Sequence, residues 1–255
     1  MDIHLNNKLA DKYKSNSQKI RVLTESWVES EIFCPACGSF VTGYENNRPV
    51  ADFYCEKCRE DYELKSKKNS LGSKVVDGAY GKMIERLNSN NNPNFFFLNY
   101  DLARMEILNF FVVPKHFFTS EIIEERKPLS INAKRFGWVG CNIIIKDIPQ
   151  TGKISYIKNG KIEPKEIILD SWNKTLFLRE DIKIESKGWL LDIMKCIDRI
   201  GKKEFSLEEI YRFEKELEIK YPNNKHIKDK IRQQLQFLRD KSYLKFISSG
   251  KYKLI

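Results

Sequence analysis

The chain has 255 residues, 41% of them apolar and 12% aromatic, enough to bury a substantial core and suited to one large domain plus a small one. Its 45 Lys and Arg outnumber 35 Asp and Glu, giving a net charge of +10 and a pI near 9.2, a balance that favours a polyanionic partner such as nucleic acid. No run of 18 apolar residues occurs and the first 14 residues are polar, so neither a membrane-spanning helix nor a secretory signal is expected; the expectation is a cytoplasmic protein with reduced thiols.

In chain order, residues 17–31 read as a helix with Ile20, Leu23, Trp27 and Val28 on one side. Strands are expected at residues 50–54, 62–66, 95–100 and 107–114, with a second helix at 74–87 and a polar turn at 88–93. Residues 174–178 read as a further strand. The mixture predicts an α/β domain around a mixed sheet over residues 1–182.

A boundary is placed near residues 182–188, where the strand-like run gives way to polar residues and a Ser186-Lys187-Gly188 break. Residues 183–255 carry 18 basic and 11 acidic side chains, a net +7, leaving +3 for the rest of the chain. This tail reads as helices at 188–200, 206–218 and 225–241 and a hairpin at 243–255, the element order of a winged helix. Ser206 and Glu209 have the spacing of a capping box. On the third helix Ile227, Ile231, Leu235 and Leu238 line one face, which leaves Lys225, His226, Asp229, Arg232, Gln233 and Gln236 broadly opposite. Such a face suits a major groove: glutamine can address an adenine edge, aspartate the cytosine amino group, and the basic residues phosphate or guanine. A merely solvated face is the alternative.

Two cysteine pairs, Cys34-Pro35-Ala36-Cys37 and Cys55-Glu56-Lys57-Cys58, are separated by 17 residues, the pattern of a two-knuckle zinc ribbon. Four sulfur ligands would close the coordination sphere, so the expected Zn2+ is structural; four unligated buried cysteines or a redox CxxC pair are the alternatives. Cys141 and Cys196 stand alone in apolar surroundings and read as core residues. His4, His116 and His226 are far apart and fit no metal or triad motif.

Asp52 lies between the knuckles, and Glu63-Leu64-Lys65 follows after ten intervening residues. Residues two apart on a strand share a face, so Glu63 and Lys65 point together while Leu64 turns towards the core. If residues 50–54 and 62–66 pair, the second knuckle forms the hairpin tip and Asp52 comes beside Glu63. Phosphodiester hydrolysis uses such a group: carboxylates for a hard Mg2+ and an ammonium to orient water and offset charge at the phosphate. A solvated charged hairpin is the other reading.

This constellation resembles the PD-(D/E)xK nuclease superfamily, and the chain is similar to DpnI-like methyl-directed restriction endonucleases over most of its length. The resemblance is carried by residues 13–19, 45–55, 63–68, 91–98, 137–142 and 230–236. It implies that Asp52, Glu63 and Lys65 are catalytic and that Asp52, Glu63 and the Leu64 carbonyl hold Mg2+. One departure is that Val50 and Ala51 separate Pro49 from Asp52, where the superfamily's proline directly precedes its aspartate.

Within the basic, glycine-containing segment 134–140, Trp138 reads either as a core tryptophan or as an exposed aromatic wall, and it resembles the family's methyl-reading tryptophan, with Lys134 or Arg135 available to phosphate or guanine. An aromatic wall suits the N6-methyl group of adenine, which protrudes into the major groove as an apolar knob. The expectation is therefore a monomeric, Mg2+-dependent type II endonuclease that cuts double-stranded DNA within GATC methylated at adenine N6. The rival is a noncatalytic zinc-ribbon, winged-helix regulator.

Overall fold

The structure is a computed structural model and describes residues 1–45, 51–89, 92–179 and 184–255, with the backbone alone at 184 and 185. The chain divides into two compact units, Met1–Thr175 and Leu176–Ile255. The boundary expected between residues 182 and 183 lies outside the described residues.

The first unit opens with helix α1 (Asn16–Glu31), then short strands β1 (Thr42–Gly43) and β2 (Phe53–Tyr54) and the long strand β3 (Asp61–Lys68). Next come β4 (Val75–Ala79), α2 (Tyr80–Asn88), β5 (Asn94–Asp101), β6 (Glu106–Val113), β7 (Ile123–Glu125), β8 (Gly140–Ile143), β9 (Ile154–Lys158), β10 (Lys161–Ile162) and α3 (Lys165–Asn173). Seven strands form a mixed sheet in the order β1-β2-β3-β5-β6-β9-β10, and β4-β8-β7 form a second, three-stranded sheet.

The centre of the large sheet explains the aromatic run. In β5 every residue from Asn94 to Tyr100 is buried, because β3 runs parallel on one side, β6 antiparallel on the other, and both faces are covered. Tyr62 stacks on Phe96 at 4.5 Å, Phe96 meets Phe110 at 5.0 Å, and the Trp27 ring meets Phe110 edge-on at 5.3 Å. Thus α1 docks on the sheet through the expected stripe: Leu23, Trp27 and Val28 are buried and Ile20 is half-buried. The same docking carries the polar N-terminal part of α1 to β3.

Three expectations need correction. The helix expected at 74–87 is a strand followed by a helix, β4 then α2; the β-branched pair Val75-Val76 favours extension, and Gly78 and Gly81 weaken any helix through this stretch. The strand expected at 174–178 is instead a short 3-10 turn, Leu176–Arg179, with Phe177 and Leu178 buried. The strand expected at 50–54 is only Phe53–Tyr54, and its first residue, Val50, lies outside the described residues, as do Pro49 and part of the 88–93 turn.

The second unit contains α4 (Ile184–Ile200), β11 (Glu204–Ser206), α5 (Leu207–Tyr211), α6 (Glu214–Lys220), α7 (Ile227–Asp240), β12 (Leu244–Ser248) and β13 (Lys251–Leu254). Its strands pair in the order β11-β13-β12, so the hairpin gains a third strand that the sequence pattern did not suggest. The capping box forms: Glu209 N–H donates to the Ser206 hydroxyl at 3.3 Å, and Ser206 N–H to the Glu209 carboxylate at 2.8 Å. The helix that it starts is shorter than expected and breaks between Tyr211 and Glu214, so the stretch 206–218 becomes α5 and α6.

Candidate active site and DNA-reading surfaces

Each knuckle closes by the same turn. Gly38 N–H donates to Cys34 O and Arg59 N–H to Cys55 O, at 2.8 and 2.9 Å, and both Gly38 (φ 76°) and Arg59 (φ 62°) are left-handed. An arginine tolerates this conformation only where surrounding structure imposes it. Two turns of this kind bring the Sγ atoms of Cys34, Cys37, Cys55 and Cys58 all within 4.8 Å of one another. Cys34 lies 3.4 Å from Cys58 and Cys37 3.4 Å from Cys55. A tetrahedral Zn2+ with bonds of about 2.3 Å needs sulfurs about 3.8 Å apart, so the donor set fits zinc, which would cross-link the two knuckles.

The second knuckle is the tip of the hairpin formed by β2 and β3, with Phe53 opposite Tyr62 and Tyr54 opposite Asp61. Asp52 N–H donates to Tyr62 O at 2.9 Å and the Asp52 carboxylate accepts from Leu64 N–H at 2.7 Å. That second bond holds the carboxylate against the β3 backbone between Glu63 and Lys65. Asp52, Glu63, Leu64 and Lys65 line one cleft of about 270 Å³, whose opposite wall is Ser17, Ile20, Arg21, Thr24 and Glu25 of α1. Leu64 is half-buried here, not turned fully into the core as expected.

Lys65 is the hub of the charges. Its ammonium donates to Glu63 Oε1 at 2.6 Å and to Asp77 of β4, while the other Glu63 oxygen accepts from Arg86 of α2 at 2.8 Å. Burial alone would lower the Lys65 pKa, but Glu63 and Asp77 outweigh it and hold the ammonium charged above the usual lysine range. On α1, burial pushes the Glu25 carboxyl upward, against the Arg21 guanidinium that donates to it at 2.6 Å. Asp77, Arg86, Arg21 and Glu25 are therefore part of this charged cluster and were not singled out from sequence. For Asp77 a signal existed: Val75-Val76 marked a strand, and a strand would have sent Asp77 and Val75 to one face.

Asp52 and Glu63 offer the hard oxygen donors that suit Mg2+, with two cations already balancing Glu63. A divalent ion at Glu63 would take over part of that balance from Lys65 and Arg86. Asp77 would remain beside the lysine.

Trp138 is half-buried and is not a core residue. The Arg135 guanidinium lies over its ring, 4.5 Å from the centroid. On the Gly140 side the ring is so close that a Cβ there would lie 2.8 Å from it, which is why position 140 is glycine. The segment is tied at its base by the pairs Gly137 N–H to Leu129 O and Leu129 N–H to Trp138 O, at 3.1 and 3.0 Å. Lys134 and Arg135 are both exposed.

In the second unit α7 buries Ile227, Ile231, Leu235 and Leu238, as its periodicity requires, together with Gln234. Lys225, His226, Asp229, Arg232, Gln233 and Gln236 are all exposed. Arg232 donates to the Tyr211 hydroxyl at 2.6 Å, and Gln233 accepts from Lys230 at 2.8 Å, so two members of this face are already oriented.

The remaining two cysteines are buried, which pushes Cys141 up to about 11 and Cys196 up to about 12 and disfavours their thiolates. Buried His116 pairs with the Thr175 hydroxyl at 2.9 Å.

Two family models match the chain. Residues 1–181 match the DpnI model, described as the Dam-replacing family, and residues 185–254 match its C-terminal model, the Dam-replacing HTH domain. The chain belongs to the Dam-replacing family. Membership supports a methyl-dependent restriction endonuclease that binds DNA, and the second unit is its helix-turn-helix domain. In this member of the Dam-replacing family the first unit combines a mixed sheet with a group of four cysteines able to hold structural zinc. Among the described residues no helix is long and apolar enough to cross a membrane.

Proposed function

We propose that the chain is a PD-(D/E)xK-type, Mg2+-dependent endonuclease that cleaves double-stranded DNA within GATC sites methylated at adenine N6. The observation that carries this reading is the hairpin β2–β3, which puts Asp52 on the Leu64 amide beside Glu63 and Lys65. Asp52, Glu63 and the Leu64 carbonyl are the groups that would hold Mg2+, which when bound supplies Lewis-acid polarisation of the phosphate and of its attacking water. Lys65 lies between two carboxylates, so its part is to orient water and offset charge at the phosphate.

Methyl reading is assigned to two surfaces, one per unit. Trp138 provides an aromatic wall, and Arg135 must swing off its ring before a methyl group can take that place. The exposed face of α7, from Lys225 to Gln236, is assigned to the major groove of a methylated site. Digestion of a plasmid from a methylating and a non-methylating host, with and without Mg2+, tests the reading. Cutting of the methylated plasmid alone, with ends mapping inside GATC, is the expected result; binding without cutting under all conditions would favour a regulator instead.

A further inference from the structure

Beyond Trp138, the segment that carries it has an apolar tip that neither the zinc site, the carboxylate cleft nor the core uses. Ile131 and Phe136 are 77% and 66% exposed, among the most exposed large apolar residues of the described chain. They sit in residues 126–139, which contain the cations Arg126, Lys127, Lys134 and Arg135 and no acid. The tip is held by its own backbone: Ala133 N–H donates to Ser130 O at 2.9 Å, Trp138 N–H to Arg135 O at 3.0 Å, and Gly137 turns through φ 76°. Two apolar side chains are thus presented to solvent on a shaped, purely cationic loop.

That combination matches one class of partner. A duplex offers phosphates on its outside and stacked bases within, so cations can take the phosphates while an aromatic side chain slots into an opened base step. A protein surface would instead need acids to meet four cations around the same apolar tip. Position points to the substrate duplex: β8 leads directly out of the loop and pairs with β4, setting Cys141 opposite Asp77, the residue that grips Lys65.

We infer that Phe136, backed by Ile131, is a wedge that inserts between base pairs next to the recognition site and opens the stack while Trp138 meets the methyl group. This rests on the nuclease reading above, and it adds a deformation of the DNA to direct reading of its methyl. Preference among flanking sequences would then have its own source, because a step that opens easily is bound more tightly than one that resists.

The test uses the full chain without divalent metal and methylated duplexes carrying 2-aminopurine at successive positions flanking the site. Binding of the unaltered protein should raise the fluorescence of one flanking step. Phe136→Ala should abolish that rise and weaken binding about 10-fold, Ile131→Ala should reduce it, and Phe136→Trp should restore it. Both side chains are exposed, so melting temperature should not move. Tight binding with no fluorescence rise at any position, or a rise that survives Phe136→Ala, overturns the wedge. If methylated and unmethylated duplexes bind alike but one step still opens in a Phe136-dependent way, the wedge stands and the methyl-reading proposal falls.

Discussion

The Tyr62 hydroxyl lies 3.1 Å from the Cys34 sulfur, while the Tyr62 carbonyl accepts from the Asp52 amide at 2.9 Å. One buried residue of β3 therefore touches the cysteine cluster with its side chain and the proposed metal-binding aspartate with its backbone. Burial pushes the Tyr62 phenol well above its ordinary range, so it remains a donor that can serve a thiolate. Zinc content should be one ion per chain. Chelation, or Cys55→Ser, should unfold the hairpin and abolish cutting, and elemental analysis finding no zinc in active protein would refute the assignment. Tyr62→Phe should keep the zinc but lower the melting temperature, for it removes a buried hydrogen bond worth about 1 kcal/mol.

Asp52→Ala and Glu63→Ala should each reduce cleavage of methylated plasmid by a factor of about a thousand or more, while gel-shift affinity for the same DNA stays within a few-fold. Near-normal cutting by either variant would take that residue out of the active site. Lys65→Ala should fail as well, since among the described residues no other ammonium is seen on both of its carboxylates.

Asp77 should matter through Lys65. Its side chain is only 5% exposed, and removing one partner of a buried ion pair leaves the other charge poorly compensated. Single-turnover rates should fall about 10- to 100-fold in Asp77→Ala with little change in affinity for DNA, and less in Asp77→Asn, which keeps an acceptor for the ammonium. A rate equal to the unaltered protein in both variants would mean that Glu63 alone positions the lysine.

Gly140→Ala tests Trp138 without altering its chemistry. The added methyl would lie 2.8 Å from the indole, so the ring has to move. Preference for methylated over unmethylated substrate should then fall about as far as in Trp138→Ala, a loss of about 1–3 kcal/mol per methyl contact. Unchanged preference in both would place methyl reading elsewhere.

Deleting residues 183–255 removes a net +7 and the exposed face of α7. Binding should weaken and lose part of its salt dependence, because fewer counterions are released from the phosphates. The remaining chain should still prefer methylated DNA. Equal cutting of both substrates by the shortened chain, with the preference intact in full-length Trp138→Ala, would assign methyl reading to the second unit alone.

What could be read in the sequence was local or periodic. Two CxxC turns identify themselves because ligand spacing is set by one turn of backbone, and α7 because a 3.6-residue period separates Ile227, Ile231, Leu235 and Leu238 from the polar face. The pairing of Asp52 with β3 was also within reach, since the knuckle between them is a hairpin tip. Tertiary structure decided the rest. Lys65 meets Asp77 across 12 residues and Glu63 meets Arg86 across 23, distances at which no side-chain period links the partners. By its local pattern the stretch that carries both partners reads as one helix; its division into β4 and α2 fits the pairing of β4 with β8 some 60 residues later, a contact that no local pattern announces. Likewise Gly140 and the cover of Arg135 on Trp138 acquire meaning only once the loop folds back on itself, because steric room is a property of the packed neighbours and not of the residue.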